Sequence, residues 1–454
     1  MSAPNEYHDI DRAILADAYS SRETENVLLG LCDTIGPRFA GTDGERLGAE
    51  FIARKFDEYG LDKVNIEEFA FDAWRRGEDA RLAIVGESTR TVPCLALPYG
   101  AATPAGGVEA ELIDIGPGSP EDVKRYMDRI RGRIVVSEAS GAHRSEIYGR
   151  ITKAGAVGFV MPARVPGMIL PTGCVSFGAA GTIPAVGIPY ETGELLKRLS
   201  RNGDLKLRME TFDVVEPGTS RNVVGEIRGN SHPDELAVVG GHMDSHELAP
   251  GAVDNASGTT CAIEAIRLLN LQKTQLQRSM RCIAFGGEEV GLLGSYAYTK
   301  AHESEMAAIR LMLNLDCLTM SRPKGFVFHK VPGAEGYVEA LRDQMQEPLT
   351  FRDHVHPHSD HFPFILKGVP TAEIGGGFFN PGVRAFAHMA GDTADKVSLM
   401  DLREESALAA RLLLRALNDA AWPFRTRTSA EVEELLETTG IKEKLQFENQ
   451  FKDE

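Results

Sequence analysis

The sequence predicts an α/β protein: a three-layer α/β/α sandwich around a mainly parallel mixed sheet, interrupted by a β-rich insertion. From residue 212 onward, apolar runs typical of buried strands alternate with amphipathic helical segments. Such alternation is typical of a largely parallel sheet with helices on both faces. Between residues 74 and 211, short apolar runs follow closely on one another and are separated by Gly and Pro, which indicates a separate module.

The segments before the insertion are expected to belong to the larger domain. Residues 23–32 are amphipathic, and residues 44–60 have the apolar spacing of a helix that stops at a glycine. The run KVNIEEFAF that follows has the composition of a strand. The predicted division is residues 1–73 and 212–427 for one discontinuous domain, 74–211 for the insertion, and 428–454 for a charged C-terminal tail.

Strands and helices of the larger domain then follow in alternation. The predicted strands are the runs LAVVGG, MRCIAFGG, IRLMLNLD and VPTAEIGG. Amphipathic stretches at 258–272, 295–308 and 336–346 are the predicted helices. Because ligands of such sheets bind outside the carboxyl ends of the strands, the residues that follow these strands are the first place to look for a site.

Charge and terminal composition disfavour several function classes. The chain has 49 Lys and Arg against 66 Asp and Glu, a net charge of −17, which argues against nucleic acid and anionic membranes as partners. The N-terminal stretch has no basic and apolar signal segment, and no apolar run reaches the ~18 residues of a membrane span. We therefore expect a cytoplasmic protein. A helix with a frayed end is the favoured interpretation of the tail, and a homo-oligomer contact is the alternative.

Acidic and imidazole side chains stand where the predicted strands end. A single His at a strand end is usually an ordinary packed or surface residue, and two consecutive Glu often only cap a helix. Here several strand ends carry such groups at once, and two loops add more. This coincidence indicates a site that draws on His242, Asp244, Asp254, Glu288, Glu289, Asp316 and His388.

The residue types favour a divalent metal centre. Carboxylate oxygens and imidazole nitrogens suit Zn²⁺ or a similar ion, and no cysteine joins them. If His242, Asp254, Glu289, Asp316 and His388 are all ligands, one ion would be over-ligated. Two Zn²⁺ ions would exceed the charge of the three carboxylates by one, which a bridging hydroxide cancels. The charge count therefore predicts two Zn²⁺ per chain with one shared carboxylate, and other divalent metals fit the same ligands.

An ordered series of motifs resembles the M28 family of zinc exopeptidases. The series is H-x-D at 242–244, GAVDNASG at 251–258, GGEEVGLLGS at 286–295, NLD at 314–316, SDHFPF at 359–364 and HMAGDTADKV at 388–397. The insertion resembles the protease-associated (PA) domain of some members. The stretches WRRG and GRIVV bring the chain closest to the carboxypeptidase Q type within the family. The resemblance covers most of the chain and implies the zinc exopeptidase fold.

The resemblance also implies the arrangement of the ligands. One zinc would be held by His242 and Asp316, the other by Glu289 and His388, and Asp254 would bridge them. Asp244 is expected to orient an imidazole, as partners of metal-bound histidines do. Three histidines of the segment HPHSDH (His356, His358 and His361) would lie near the pocket without binding these ions.

Glu288 is then the free carboxylate of the pair. Neighbouring residues on an extended segment point to opposite sides, so Glu288 and Glu289 are not expected to bind one ion together. Glu288 is expected to act as general base toward a metal-bridging water. Phe378, Phe379 and Arg384 precede His388 and are candidates either for lining the substrate pocket or for ordinary packing.

The implied activity is that of an exopeptidase, an aminopeptidase or dipeptidase that hydrolyses short peptides. A zinc amidohydrolase acting on N-acyl amino acids or other small amides is the alternative on the same site. A metal-free binding protein of the same fold is disfavoured, because no ligand position is missing. The chain also has neither the G-x-S-x-G turn of a serine hydrolase nor the H-E-x-x-H helix of other metalloproteases.

Overall fold

Two eight-stranded sheets organise the chain. The computed structural model describes residues 5–201, 203–319, 321–379 and 384–448. The strands are β1 (Lys63–Arg75), β2 (Arg81–Val85), β3 (Arg90–Val92), β4 (Leu95–Ala96), β5 (Val108–Asp114), β6 (Ile134–Val136), β7 (Gly158–Pro162), β8 (Ala185–Ile188), β9 (Lys206–Glu210), β10 (Val214–Ile227), β11 (His232–His242), β12 (Arg278–Phe285), β13 (Ile309–Asn314), β14 (Ser321–Phe328), β15 (Thr350–Asp353) and β16 (Thr371–Phe379).

The α-helices lie between and beside these strands. They span His8–Ser20, Glu23–Leu29, Asp43–Glu58, Pro120–Ile130, Arg144–Lys153, Tyr190–Ser200, Ser257–Asn270, Leu293–Ala301, Ala334–Met345, His361–Leu366, Leu399–Asn418, Ser429–Thr438 and Ile441–Leu445.

The first sheet has the order β1-β10-β12-β11-β13-β16-β14-β15. Its four central strands, β12, β11, β13 and β16, are parallel, whereas β1 and β10 run antiparallel at one edge. Successive residues of β11 point to opposite faces of the sheet. Val238 therefore packs in one apolar cluster and Val239 in another. The helix Ser257–Asn270 packs on one face and Leu293–Ala301 on the other. The expected three-layer fold with a mixed sheet is confirmed.

The second sheet contains every strand from β2 to β9, in the order β3-β2-β9-β5-β6-β7-β8-β4. Strands β5 to β8 are parallel to one another. The helix Pro120–Ile130, which the apolar pattern did not indicate, begins at a capping box of Ser119 and Asp122 with Pro120 at its first position. We call residues 81–210 the second-sheet module. The placement of domain boundaries near residues 74 and 211 stays a prediction.

The C-terminal helices pack against the larger sheet's helical layer. Leu435, Leu436 and Ile441 are buried in a cluster with Leu292 and Phe362. Among the described residues, no helix combines the length and the apolar character needed to cross a bilayer. The cytoplasmic location and the oligomer contact expected from the sequence stay predictions.

Candidate metal centre

Four neighbouring strand ends bring the sequence-predicted residues together at one edge of the first sheet. His242 is the last residue of β11, Glu288 and Glu289 follow β12, and Asp316 follows β13. His388 lies on the segment after β16. Because β12, β11, β13 and β16 are adjacent and parallel, their carboxyl ends share this edge.

Asp254 lies on an irregular turn just before the helix Ser257–Asn270. The side chain of Asp392 fixes this turn, since its two oxygens accept hydrogen bonds from the backbone N–H of Val253 at 2.7 Å and of Asp254 at 3.1 Å. The carboxylate of Asp392 therefore holds the turn that carries the residue at the centre of the site.

The carboxylate of Asp254 stands between the two histidines. Its Oδ1 lies 3.2 Å from His242 Nε2, and its Oδ2 lies 3.1 Å from His388 Nε2. On the first side, Asp316 Oδ1 is 3.6 Å from His242 Nε2. On the second side, Glu289 Oε2 is 3.2 Å from His388 Nε2. The geometry therefore places two candidate ligand sets, one on each side of Asp254.

These separations fit metal coordination. Ligand atoms about 2.0–2.1 Å from a tetrahedral zinc lie about 3.3–3.4 Å from each other. The ring nitrogen His242 Nε2 and the oxygens Asp316 Oδ1 and Glu289 Oε1 are buried and have no hydrogen-bond partner. Buried polar atoms are ordinarily satisfied, so these atoms indicate ions as the missing partners. The donor set fits divalent metal ions.

Glu288 differs from Glu289 in its surroundings. Glu288 Oε2 lies 3.9 Å from His242 Nε2, at the edge of the first ligand set. Burial raises the pKa of Glu288 well above its usual value, and the nearby carboxylates of Asp316 and Glu289 add to the rise. Burial also acts to raise the pKa of Glu289, but the imidazoles of His246 and His388 bring it below the usual value. The adjacent glutamates therefore occupy distinct electrostatic environments.

Asp244 has a larger positioning role than the sequence indicated. Its carboxylate accepts hydrogen bonds from the backbone N–H of Glu288 at 3.1 Å and of Glu289 at 3.2 Å. His242 Nδ1 lies 3.1 Å from the main-chain carbonyl oxygen of Asp244 and 3.6 Å from its carboxylate. Asp244 thus orients the His242 ring mainly through its backbone and fixes the glutamate pair through its side chain.

His246 is a site residue that the sequence reasoning missed. Its Nε2 lies 2.9 Å from Glu289 Oε2, and its ring lies 4.5 Å from that of His388. The sequence feature that could have indicated it is a second histidine four residues after His242 in the same loop.

Arg384 donates a hydrogen bond of 2.6 Å to Asp254 Oδ2, which makes it a neighbour of the centre rather than a free cation. The side chains of Phe378 and Phe379 lie outside the described residues.

A cavity of about 190 Å³ opens onto the centre. One wall carries Asp254, Glu288, Glu289, Asp316 and His388, and the second-sheet module supplies the opposite wall with Arg144, Arg164 and Phe177. An adjoining cavity of about 390 Å³ shares Arg144, Arg164, Arg384 and His388 with it. The site is therefore a confined crevice between the two sheets.

The part of the chain that forms this site matches a known peptidase family. The model of "Peptidase family M28" matches residues 222–413, a span that contains all the predicted site residues.

The chain carries a peptidase M28 domain.

Relatives of known name extend the likeness over nearly the whole chain. Carboxypeptidase Q of Mus musculus is 25% identical over 447 residues, which cover 95% of this chain and 91% of the relative. Aminopeptidase YwaD of Bacillus subtilis (strain 168) is 27% identical over 414 residues, with 89% and 87% covered. The resemblance to M28 peptidases and the assignment of the chain as a metallo-exopeptidase are confirmed.

Solved structures show the same fold. A peptidase M28 precursor from Shewanella amazonensis SB2B superposes with a TM-score of 0.77 at 22% identity and covers 92% of this chain and 98% of its own. BSAP, a zinc aminopeptidase from Bacillus subtilis, superposes with a TM-score of 0.68 at 24% identity, with 88% and 95% covered. Each likeness spans most of this chain.

Proposed function

We propose that this M28 peptidase is a two-zinc exopeptidase that hydrolyses short peptides. The observation that carries the proposal is the position of Asp254, whose two oxygens face His242 and His388 at 3.2 and 3.1 Å. A carboxylate in that position can bridge two ions. The zinc aminopeptidase from Bacillus subtilis, which shares the fold, supports zinc as the metal.

The ligands of the first ion would be His242, Asp316 and Asp254. Those of the second ion would be Glu289, His388 and Asp254. When bound, the two ions supply Lewis-acid polarisation of the scissile carbonyl and a water of lowered pKa.

The remaining residues of the centre position groups and move a proton. Asp244 holds the backbone of the two glutamates, so that Glu289 faces His388 and Glu288 faces the space beside His242. Glu288 takes the proton from the attacking water and returns it to the leaving amine. In this scheme Glu288 is the general base and Asp244 is a positioning residue.

Two arginines of the second-sheet module support a substrate with a free carboxylate. Arg144 donates a hydrogen bond of 2.9 Å to the carbonyl oxygen of Cys174, and Arg164 donates to that of Ala139. Within the described part of the chain, neither guanidinium forms an ion pair with a carboxylate. Both line the cavity opposite the metal ligands. We propose that the module is a PA-like inserted domain that limits the crevice to chain ends and favours dipeptides.

Three related compounds test the proposal on zinc-loaded protein: a dipeptide, its N-acetylated form and its C-terminal amide. The dipeptide should be hydrolysed fastest. Acetylation removes the charge of the amine, and amidation removes the carboxylate that Arg144 and Arg164 would pair with, so each should lower kcat/KM by about tenfold or more. Faster hydrolysis of the acetylated compound would overturn the exopeptidase proposal in favour of the amidohydrolase alternative.

A further inference from the structure

A second cluster of metal-binding side chains lies apart from the centre described above. It consists of His329 directly after β14, His356 on the loop after β15, His361 at the start of the helix His361–Leu366, and Glu373 on β16. One nitrogen of each imidazole and one oxygen of Glu373 lie within 4.8 Å of one another. We call these four residues the distal cluster.

The separations within the distal cluster are those of metal ligands. His329 Nε2 and His356 Nε2 each lie 3.5 Å from Glu373 Oε2, and His361 Nδ1 lies 3.2 Å from Glu373 Oε1. These values are close to the edge of about 3.3–3.4 Å of a tetrahedral zinc site with bonds of about 2.0–2.1 Å. They exceed the roughly 2.7–2.9 Å of a charge-assisted N–H···O hydrogen bond.

The surroundings of His361 leave a lone pair that faces the carboxylate. His361 Nε2 lies 3.0 Å from the carbonyl oxygen of His356, which can only accept, so this nitrogen carries the proton. In the neutral ring, a proton on Nε2 leaves the lone pair on Nδ1. Its Nδ1 then presents a lone pair to Glu373 Oε1 at 3.2 Å, a repulsive contact unless a cation lies between them.

A neighbouring amide does not relieve this contact. Asn314 Nδ2 donates to Ser359 Oγ at 2.7 Å and to Glu373 Oε1 at 3.2 Å, which uses both of its hydrogens. It lies 3.5 Å from His361 Nδ1, too far for a good additional hydrogen bond.

His329 supplies an independent indication. Its side chain is fully buried, and its Nε2 has no hydrogen-bond partner. The other ring nitrogen, Nδ1, lies 2.8 Å from the hydroxyl oxygen of Thr371, which can accept a hydrogen bond from Nδ1–H and leave the lone pair of Nε2 free to bind. An unpartnered nitrogen therefore points into the cluster.

Binding of an ion by these side chains would require two changes. The rings of His356 and His361 are already nearly perpendicular, at 83°. Those of His329 and His361 lie face to face with centroids 3.8 Å apart, so one of them would have to tilt to direct its lone pair at a shared ion. His356 Nδ1 accepts a hydrogen bond of 3.3 Å from the backbone N–H of His358. If His356 Nε2 binds an ion, Nδ1 carries the proton and this hydrogen bond is lost.

We propose that His329, His356, His361 and Glu373 bind one Zn²⁺ ion, separate from the two-ion centre. Four protein ligands from three chain segments would form a closed coordination sphere, which is typical of a structural zinc. The ion would hold the loop 356–361 in place, and this loop contacts the two-ion centre. Ser359 Oγ accepts a hydrogen bond from Asn314 Nδ2 and donates one to Asp316 Oδ2 at 2.7 Å.

Metal counting on the full-length chain tests the proposal. The protein is stripped with a chelator, reloaded with excess Zn²⁺, freed of unbound metal and analysed for zinc per chain. His356→Ala is the main variant, because this side chain is 30% exposed and its removal disturbs packing least. Glu373→Gln is a second variant of nearly equal volume, and His354→Ala, at an exposed neighbouring histidine outside the cluster, is the matched control. Circular dichroism verifies that each variant is folded.

The proposal predicts that His356→Ala and Glu373→Gln each hold about one ion fewer than the parent chain and His354→Ala. Equal zinc content in all four proteins would overturn it. Asp254→Asn, measured in parallel, separates this result from the proposed function. Loss of zinc in Asp254→Asn alone refutes the distal site, and loss in His356→Ala alone refutes the two-ion centre.

Discussion

Replacement of each member of the Glu288–Glu289 pair by glutamine should separate proton transfer from metal binding. Glutamine keeps the size of the side chain and removes its charge and basicity. Glu288 Oε2 comes no closer than 3.9 Å to a ligand nitrogen, whereas Glu289 Oε2 lies 2.9 Å from His246 Nε2 and 3.2 Å from His388 Nε2. The same substitution therefore removes a proton acceptor at one position and a metal ligand at the next.

The expected magnitudes follow from these roles. Loss of a general base costs about 10²–10⁴-fold in rate, or about 2.7–5.4 kcal/mol at 1.36 kcal/mol per factor of ten. Glu288→Gln should therefore lower kcat by at least about 10²-fold and retain the zinc content of the parent chain. Glu289→Gln should lose zinc from the ligand set of His388, and with it the activity.

The assay combines steady-state kinetics on a dipeptide with zinc analysis of the same samples. Neither substitution alters the backbone N–H groups that donate hydrogen bonds to the Asp244 carboxylate, so the local fold should persist in both variants. If Glu288→Gln lost zinc while Glu289→Gln retained it, the two roles would be reversed and the reasoning refuted.

Two further predictions concern stability and the C-terminal segment. Asp11→Ala should lower the free energy of unfolding by about 3–5 kcal/mol in urea denaturation, because its buried carboxylate is 2.9 Å from one buried arginine and 3.3 Å from another. Exposed Asp9→Ala should change it by less than about 0.5 kcal/mol, and equal effects would contradict the account. Glu448→Gln should speed proteolytic release of the C-terminal segment, because its buried carboxylate pairs with His358 at 2.8 Å. Exposed Glu434→Gln is the control, and equal release rates would contradict that role.

The sequence predicted the larger sheet and its site because both depend on local patterns. Apolar runs mark β11, β12 and β13, and parallel strands bring the residues after them to one edge. His242, Glu289 and Asp316 could therefore be placed together without knowledge of the loops. The helix Pro120–Ile130 escaped notice because its composition is mainly polar, although its Ser-Pro-Glu-Asp start is a good capping sequence.

The distal cluster could not be predicted in the same way. Its members are separated by up to 44 residues (from 329 to 373), and they meet only because β16 lies between β13 and β14 in the sheet. His356 and His361 stand in a histidine-rich segment whose loop conformation decides which ring nitrogens converge. His246 was missed for a related reason, because only the fold of its loop brings it to Glu289.

The central claim, two metal ions that share Asp254, is tested most directly by a crystal structure of the zinc-loaded protein with anomalous diffraction at the zinc absorption edge. Two anomalous peaks should flank the Asp254 carboxylate, about 3.5–4 Å apart. One peak should lie between His242 and Asp316, and the other between Glu289 and His388. A single peak at this centre in fully loaded crystals, or two peaks with Asp254 uncoordinated, would contradict it.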